Sequence, residues 1–156
     1  MLRLPVATFA LLALAASSVA AQGSHYHVVK RIPLGRSSAD YIIVDPAGRR
    51  LYGLGENVID VDRDTVIGTV TGGGGGYAIA ADQHRGLVRN GVVFDLQTLA
   101  VTGHVDAHGD GVRYDPVTHR AFTWEGKDAW VVDMTTGALV TKTTIGDGLA
   151  TALTRG

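Results

Sequence analysis

The chain has 156 residues, with 21 glycines, four prolines and no cysteine, and a formal net charge of −1. With 46% apolar and 19% charged residues it has the composition of a folded domain, not of a disordered segment. No basic excess exists to neutralise phosphates, so nucleic-acid binding is not expected. Without cysteine, stability has to come from packing alone.

Residues 1–21 read as a signal peptide. Arg3 supplies the positive start, and Leu4 to Ala16 is apolar except for Pro5 and Thr8. Small residues around Ser17 to Ala21 then fit cleavage after Ala20 or Ala21. The apolar run is shorter than the roughly 20 residues that span a bilayer. Residues 22–156 are therefore expected in the periplasm or outside the cell, with no membrane span. Residues 27–35, around His27 to Leu34, read as a lone strand similar to the later stretch Val66 to Val70.

Three segments then repeat: Tyr41 to Tyr52, Tyr77 to Val88 and Gly111 to Phe122. Each reads as a strand, a turn and a second strand. Asp45-Pro46 and Asp115-Pro116 open their turns with a hydrogen-bonding Asp and a φ-fixing Pro. In the middle copy, Asp82-Gln83 is aligned with them and keeps only the Asp. A second motif follows each first one, at Val58 to Val70, Val92 to Val105 and Trp130 to Ile145. Asn90-Gly91 joins the two motifs in the middle unit, and such a pair tolerates the positive φ of a tight hairpin. Asp45, Asp62, Asp95, Asp115 and Asp133 are read as turn formers, not as acids or bases.

No stretch after the leader has a 3.6-residue period. Four short strands in meander order, recurring at roughly 35–40 residues, predict an all-β fold of the propeller class. The predicted blades are 39–71, 76–106 and 110–146, with 147–156 starting a fourth. Blades that pack on both sides explain runs such as Val58-Ile59 and Val131-Val132, which do not alternate apolar and polar.

The Asp-Pro turn of Val44 to Tyr52 and the Asp-containing turn of Val93 to Leu99 resemble the YVTN-type, YncE-like β-propeller repeat proteins. The resemblance covers 27–145 and implies an exported propeller. It implies no particular activity. This chain departs from the pattern in its shorter hairpins and in having about three blades, where a closed ring needs about four or more. The expectation is an incomplete propeller, a piece of a longer protein. The rival is a protomer that completes its ring as a homo-oligomer.

Candidate site residues are few. Strand starts in a propeller line one mouth of its channel, which places Asp40, Tyr77, His108 and Asp110 at a ligand-binding rim. His104 and His108, near Asp106 and Asp110, are weak candidate metal ligands, as are His25 and His27. Gly72 to Gly76 lacks the Lys-Ser/Thr of a phosphate loop and reads as a flexible connector. Ser37 and Ser38 sit in no nucleophile-elbow sequence. Trp124 and Trp130 are expected to pack between blades. The chain thus reads as a non-enzymatic binding or scaffold module for a small molecule or a protein, with no cofactor implied. The alternative is a remnant of a propeller enzyme, lactonase-like or quinoprotein dehydrogenase-like, with its site at the channel mouth.

Overall fold

The computed structural model describes residues 26–35 and 39–145, for 39 and 40 the backbone only. Blade one contains β1 (Ala39–Asp45), β2 (Arg50–Leu54), β3 (Asn57–Asp60) and β4 (Thr65–Thr69). Blade two contains β5 (Tyr77–Ala80), β6 (Arg85–Val88), β7 (Val92–Asp95) and β8 (Val101–His104). Blade three contains β9 (Gly111–Asp115), β10 (Arg120–Glu125), β11 (Asp128–Asp133) and β12 (Ala138–Thr144). Each is an antiparallel four-stranded meander, hydrogen-bonded in chain order. The first strands of neighbouring blades lie side by side, β1 against β5 and β5 against β9. The chain is an incomplete β-propeller with β1, β5 and β9 innermost.

Turn chemistry shapes every blade. The Asp45 carboxylate accepts from the backbone of Ala47 and Gly48. Asp60, Asp95 and Asp133 each accept from the amides two and three residues on. Asp115 accepts from the Val117 amide and the Thr118 hydroxyl. The residue four positions after each Asp then takes a positive φ: Arg49, Asp64, Leu99, His119 and Gly137. In blade one the turn former is therefore Asp60, not Asp62. Asp62 points instead to Arg49, 2.6 Å away, an exposed pair.

Blade two corrects a second alignment. Ala80 pairs with Arg85, as Asp45 pairs with Arg50 and Asp115 with Arg120. His84 carries the positive φ of Arg49 and His119. The place of the turn Asp is thus held by Ala80. Asp82 stands two residues later, in a short 3-10 turn at Ala81–Gln83.

Alternation along the strands sends successive side chains to opposite faces of a blade. Blade two shows it cleanly. Leu87 and Val93 enter a cluster with Val112, Ala121, Trp130 and Val132 of blade three. Val88, Val92 and Phe94 enter one with Tyr52 and Val58 of blade one. Both faces of blade two are buried, as a propeller blade requires.

The outer faces of blades one and three are covered only in part among the described residues, Ile59 of blade one being buried. Ile42 and Val44 on β1 are 55% and 51% exposed, and Phe122 on β10 is 37% exposed. Residues 26–34 form no ladder with the three sheets. They lie along blade one, where Lys30 donates to the Arg63 carbonyl and the Asn57 side chain donates to the Leu34 carbonyl. The expected signal peptide of residues 1–21 and the expected start of a fourth blade at 147–156 lie outside the described residues.

Candidate functional site

Each blade has two ends. One carries the Asp turns. The other carries the links between blades and the hairpins that join second strands to third. The predicted rim residues belong to this second end.

They do not form one cluster. Asp40 lies on the backbone of β1, and its side chain is outside the described residues. Tyr77 is only 2% exposed. Its ring packs edge-on to Phe94, and its hydroxyl donates to the Gly55 carbonyl at 2.7 Å. Burial pushes that phenol up to about 12, with Glu56 adding to it. Tyr77 is a core residue and not a solvent-facing ligand.

His108 and Asp110 are exposed. The His108 ring sits 4.4 Å from the Trp130 ring. Asp110 accepts from Arg89 at 3.1 Å, a pairing that bridges the blade-two hairpin to the start of blade three. Lys142 lies 4.9 Å over the Trp130 ring. It also pairs with Asp128 at 2.9 Å. Asp128 is held below the usual carboxylate range by Lys142 first, then by the Thr144 hydroxyl. The result is one indole with an imidazole and an ammonium packed near it, and a row of paired charges alongside.

Arg89, Asp128 and Lys142 were not legible as site residues. The only available signal was register. Trp130 pairs directly with Lys142 across β11 and β12, and such pairs can be read once the two strands are aligned.

Trp130 is buried between blades two and three, as expected. Trp124 is not. It covers Gly111 of its own blade, where an added Cβ would come within 2.2 Å of the indole.

His104 ends β8 and is exposed. Among the described residues no three His, Asp or Glu side chains converge on a common point that could hold a metal ion. His27 is exposed, whereas His25, Ser37 and Ser38 lie outside the described residues.

The glycine run is a packed link, which corrects its reading as a flexible one. The Gly72 amide donates to Glu56 of blade one, and the Gly72 carbonyl accepts from Asn90 of blade two. A Cβ at Gly73 would lie 2.1 Å from the Tyr77 hydroxyl, and one at Gly75 would lie 2.0 Å from Arg89. Contact with Tyr77 and the Val70 carbonyl excludes a side chain at Gly73, and a positive φ favours glycine at Gly75.

At the opposite end, Asp82 does what its shifted position allows. Its carboxylate accepts from the Tyr114 hydroxyl of blade three at 2.7 Å, and His119 Nδ1 lies 2.8 Å away. The Tyr114 hydroxyl is the main cause holding Asp82 below the usual carboxylate range. Burial and the Asp82 carboxylate push the Tyr114 phenol up. Between blades one and two the matching place holds Ala47, and a cavity of about 390 Å³ opens there. Asp45, Arg50, His84 and Leu96 line it.

The fold has counterparts among solved structures. The chain is similar to hydrazine synthase of Kuenenia stuttgartiensis, with a TM-score of 0.59 and 18% identity over 81% of this chain. It is also similar to Sqt1 of Saccharomyces cerevisiae, with a TM-score of 0.52 and 7% identity over 69% of this chain. Both contain propellers. The likeness is one of fold alone. This chain spans 39% of the first and 35% of the second. No family model matches the sequence, and no curated protein matches it significantly.

Proposed function

We propose that this chain is the blade region of an exported, YVTN-type propeller protein that binds a ligand, a small molecule or a peptide, at the end carrying the interblade links. One observation supports the reading above the rest. His108 and Lys142 are exposed beside the Trp130 indole, with Asp128 and Asp110 close by on the same blade. The Trp130 indole is buried behind them, so the exposed His108 imidazole and Lys142 ammonium, flanked by carboxylates, are what a ligand with a flat body and a polar group would meet. The charges already neutralise one another in pairs, so recognition rests on exchanging those partners and not on net charge.

A thermal-shift panel of aromatic acids, aromatic amines and aromatic amino acids tests it. At about a hundredfold excess over the dissociation constant, a ligand of the native state adds about 2.7 kcal/mol, which raises Tm by several degrees. At least one class is expected to raise the Tm of the wild type, and a His108→Ala/Lys142→Ala variant is expected to lose that rise. A variant that keeps the whole response, or a panel that shifts neither protein, discards the proposal.

A further inference from the structure

The two joints between blades share one strand register, yet at the Asp-turn end one is filled and the other is open. Ala80 pairs with Arg85 as Asp45 pairs with Arg50, so Asp82 of blade two and Ala47 of blade one hold equivalent places. On the facing blades His119 and His84 are equivalent as well. Each carries a positive φ and stands immediately before the arginine that opens the second strand. Between blades two and three the Asp82 carboxylate reaches across. It accepts from the Tyr114 hydroxyl at 2.7 Å, and His119 Nδ1 lies 2.8 Å from it. An ionised carboxylate only accepts, so the imidazole nitrogen is the donor of that contact.

Between blades one and two the chain offers no carboxylate at that place. Ala47 ends in a methyl group, and Ile79 stands where Tyr114 does. The cavity of about 390 Å³ is lined by both Ala47 and His84, and its volume is in the range of small-molecule sites. Arg50 lines it too. Its guanidinium donates to the Leu96 carbonyl and, through Nη2, to the Gln97 carbonyl at 3.5 Å. Five N–H groups in a planar fork leave donors over for an anion. The Asp45 carboxylate, in a residue only 3% exposed, is the one negative charge of the lining. Its Oδ1 accepts from the Ala47 and Gly48 amides at 3.0 Å each, and its charge is offset by Arg50. Leu96, buried, supplies an apolar wall.

We propose that this cavity binds a small organic carboxylate, whose carboxylate group takes the place that Asp82 fills in the next joint. His84 donates to it as His119 does to Asp82, Arg50 flanks it, and the hydrocarbon part rests on Leu96. The chain supplies its own carboxylate at one joint and takes one from solution at the other. The site lies at the opposite end of the blades from the ligand reading above and does not depend on it.

The test is an NMR titration of the full chain with acetate, propionate and benzoate, and with acetamide, propionamide and benzamide as uncharged matches. The acids are expected to shift the Ala47 and Gly48 amides and the His84 ring saturably, and the uncharged matches are expected not to. Ala47→Asp puts a carboxylate of the chain itself into the place and is expected to weaken the best acid about tenfold or more. His84→Asn removes the imidazole at a positive φ that Asn tolerates and is expected to weaken it by a similar factor. Both positions are exposed turn residues, so the strand resonances stay those of the wild type. Acids that leave these resonances unmoved, uncharged matches that bind as well as the acids, or either variant binding as tightly as the wild type each overturns the proposal. An acid that shifts only residues around His108 and Lys142 overturns it too, and supports the other site instead.

Discussion

The joint between blades one and two is closed by three aromatic rings, whereas that between blades two and three is closed by one indole among alanines. In the first, Tyr52, Tyr77 and Phe94 stand with ring centroids 5.8–5.9 Å apart, Tyr77 and Phe94 edge to face. In the second, Ala78, Ala80, Ala107 and Ala121 leave room that Trp130 and Met134 fill. The first joint has a cavity at its Asp-turn end, and the second has the Asp82 contact in the same place. One latch is common to both: the arginine that opens the second strand of a blade donates to a backbone carbonyl of the next blade, Arg50 to Leu96 and Arg85 to Met134. One backbone geometry therefore accepts two packing solutions, because what a joint must conserve is volume and latch register and not residue identity.

Removing the central ring from either joint is the largest expected perturbation. Phe94→Ala and Trp130→Ala should each cost about 3–5 kcal/mol, read as a shift in the urea midpoint. Each residue is buried at one joint only, so Phe94→Ala should loosen blade one and Trp130→Ala blade three, as hydrogen exchange would resolve. If both variants deprotect all three blades equally, the two joints are one cooperative core and the comparison fails.

A smaller effect separates the glycines of blade two. Gly86 lies under the Phe94 ring, where an added Cβ would come within 2.1 Å of the ring carbon. Gly86→Ala should cost about 1–3 kcal/mol by overpacking. At Gly103 an added Cβ meets nothing, and Gly103→Ala should stay within about 0.5 kcal/mol. Equal midpoints in urea for the two variants would mean that the aromatic joint is loosely packed.

The smallest effect concerns the polar contact of the second joint. Asp82 is 40% exposed, so Asp82→Ala should cost no more than about 1 kcal/mol. Its folded-state acidity is stronger than in the unfolded chain, so its contribution is fully present above the unfolded value of about 3.9 and is lost as pH falls through the folded one. The Tm gap between wild type and Asp82→Ala should be constant above about pH 5 and narrow progressively as pH falls below the unfolded value. A gap that persists in acid would assign the effect to packing of the 3-10 turn.

The sequence carried the blade count, the meander order and most turns, because these follow from local chemistry. Asp45 and Asp115 followed by Pro, and the Asn90-Gly91 pair, have a preferred backbone wherever they occur. It misled where two local solutions compete. Asp60 and Asp62 are both plausible turn openers, and only the ladder pairing of Arg50 with Asp60 decides between them. Asp82 matches the turn Asp by type, yet the pairing of Ala80 with Arg85 places it two residues further on.

The candidate site was less legible, for the same reason. His108 and Asp110 could be placed at the right end of the blade from strand order alone. That His108 packs tilted against Trp130, that Lys142 crosses the same ring and that Tyr77 turns inward depend on which residues of separate elements face one another. Local sequence determines where a strand turns, since a turn is fixed by the few dihedrals and hydrogen bonds of its own residues. What fills a joint, which arginine finds which carbonyl and which aromatic stays at the surface were decided only by the packing of one sheet on the next, where residues far apart in the chain compete for the same volume.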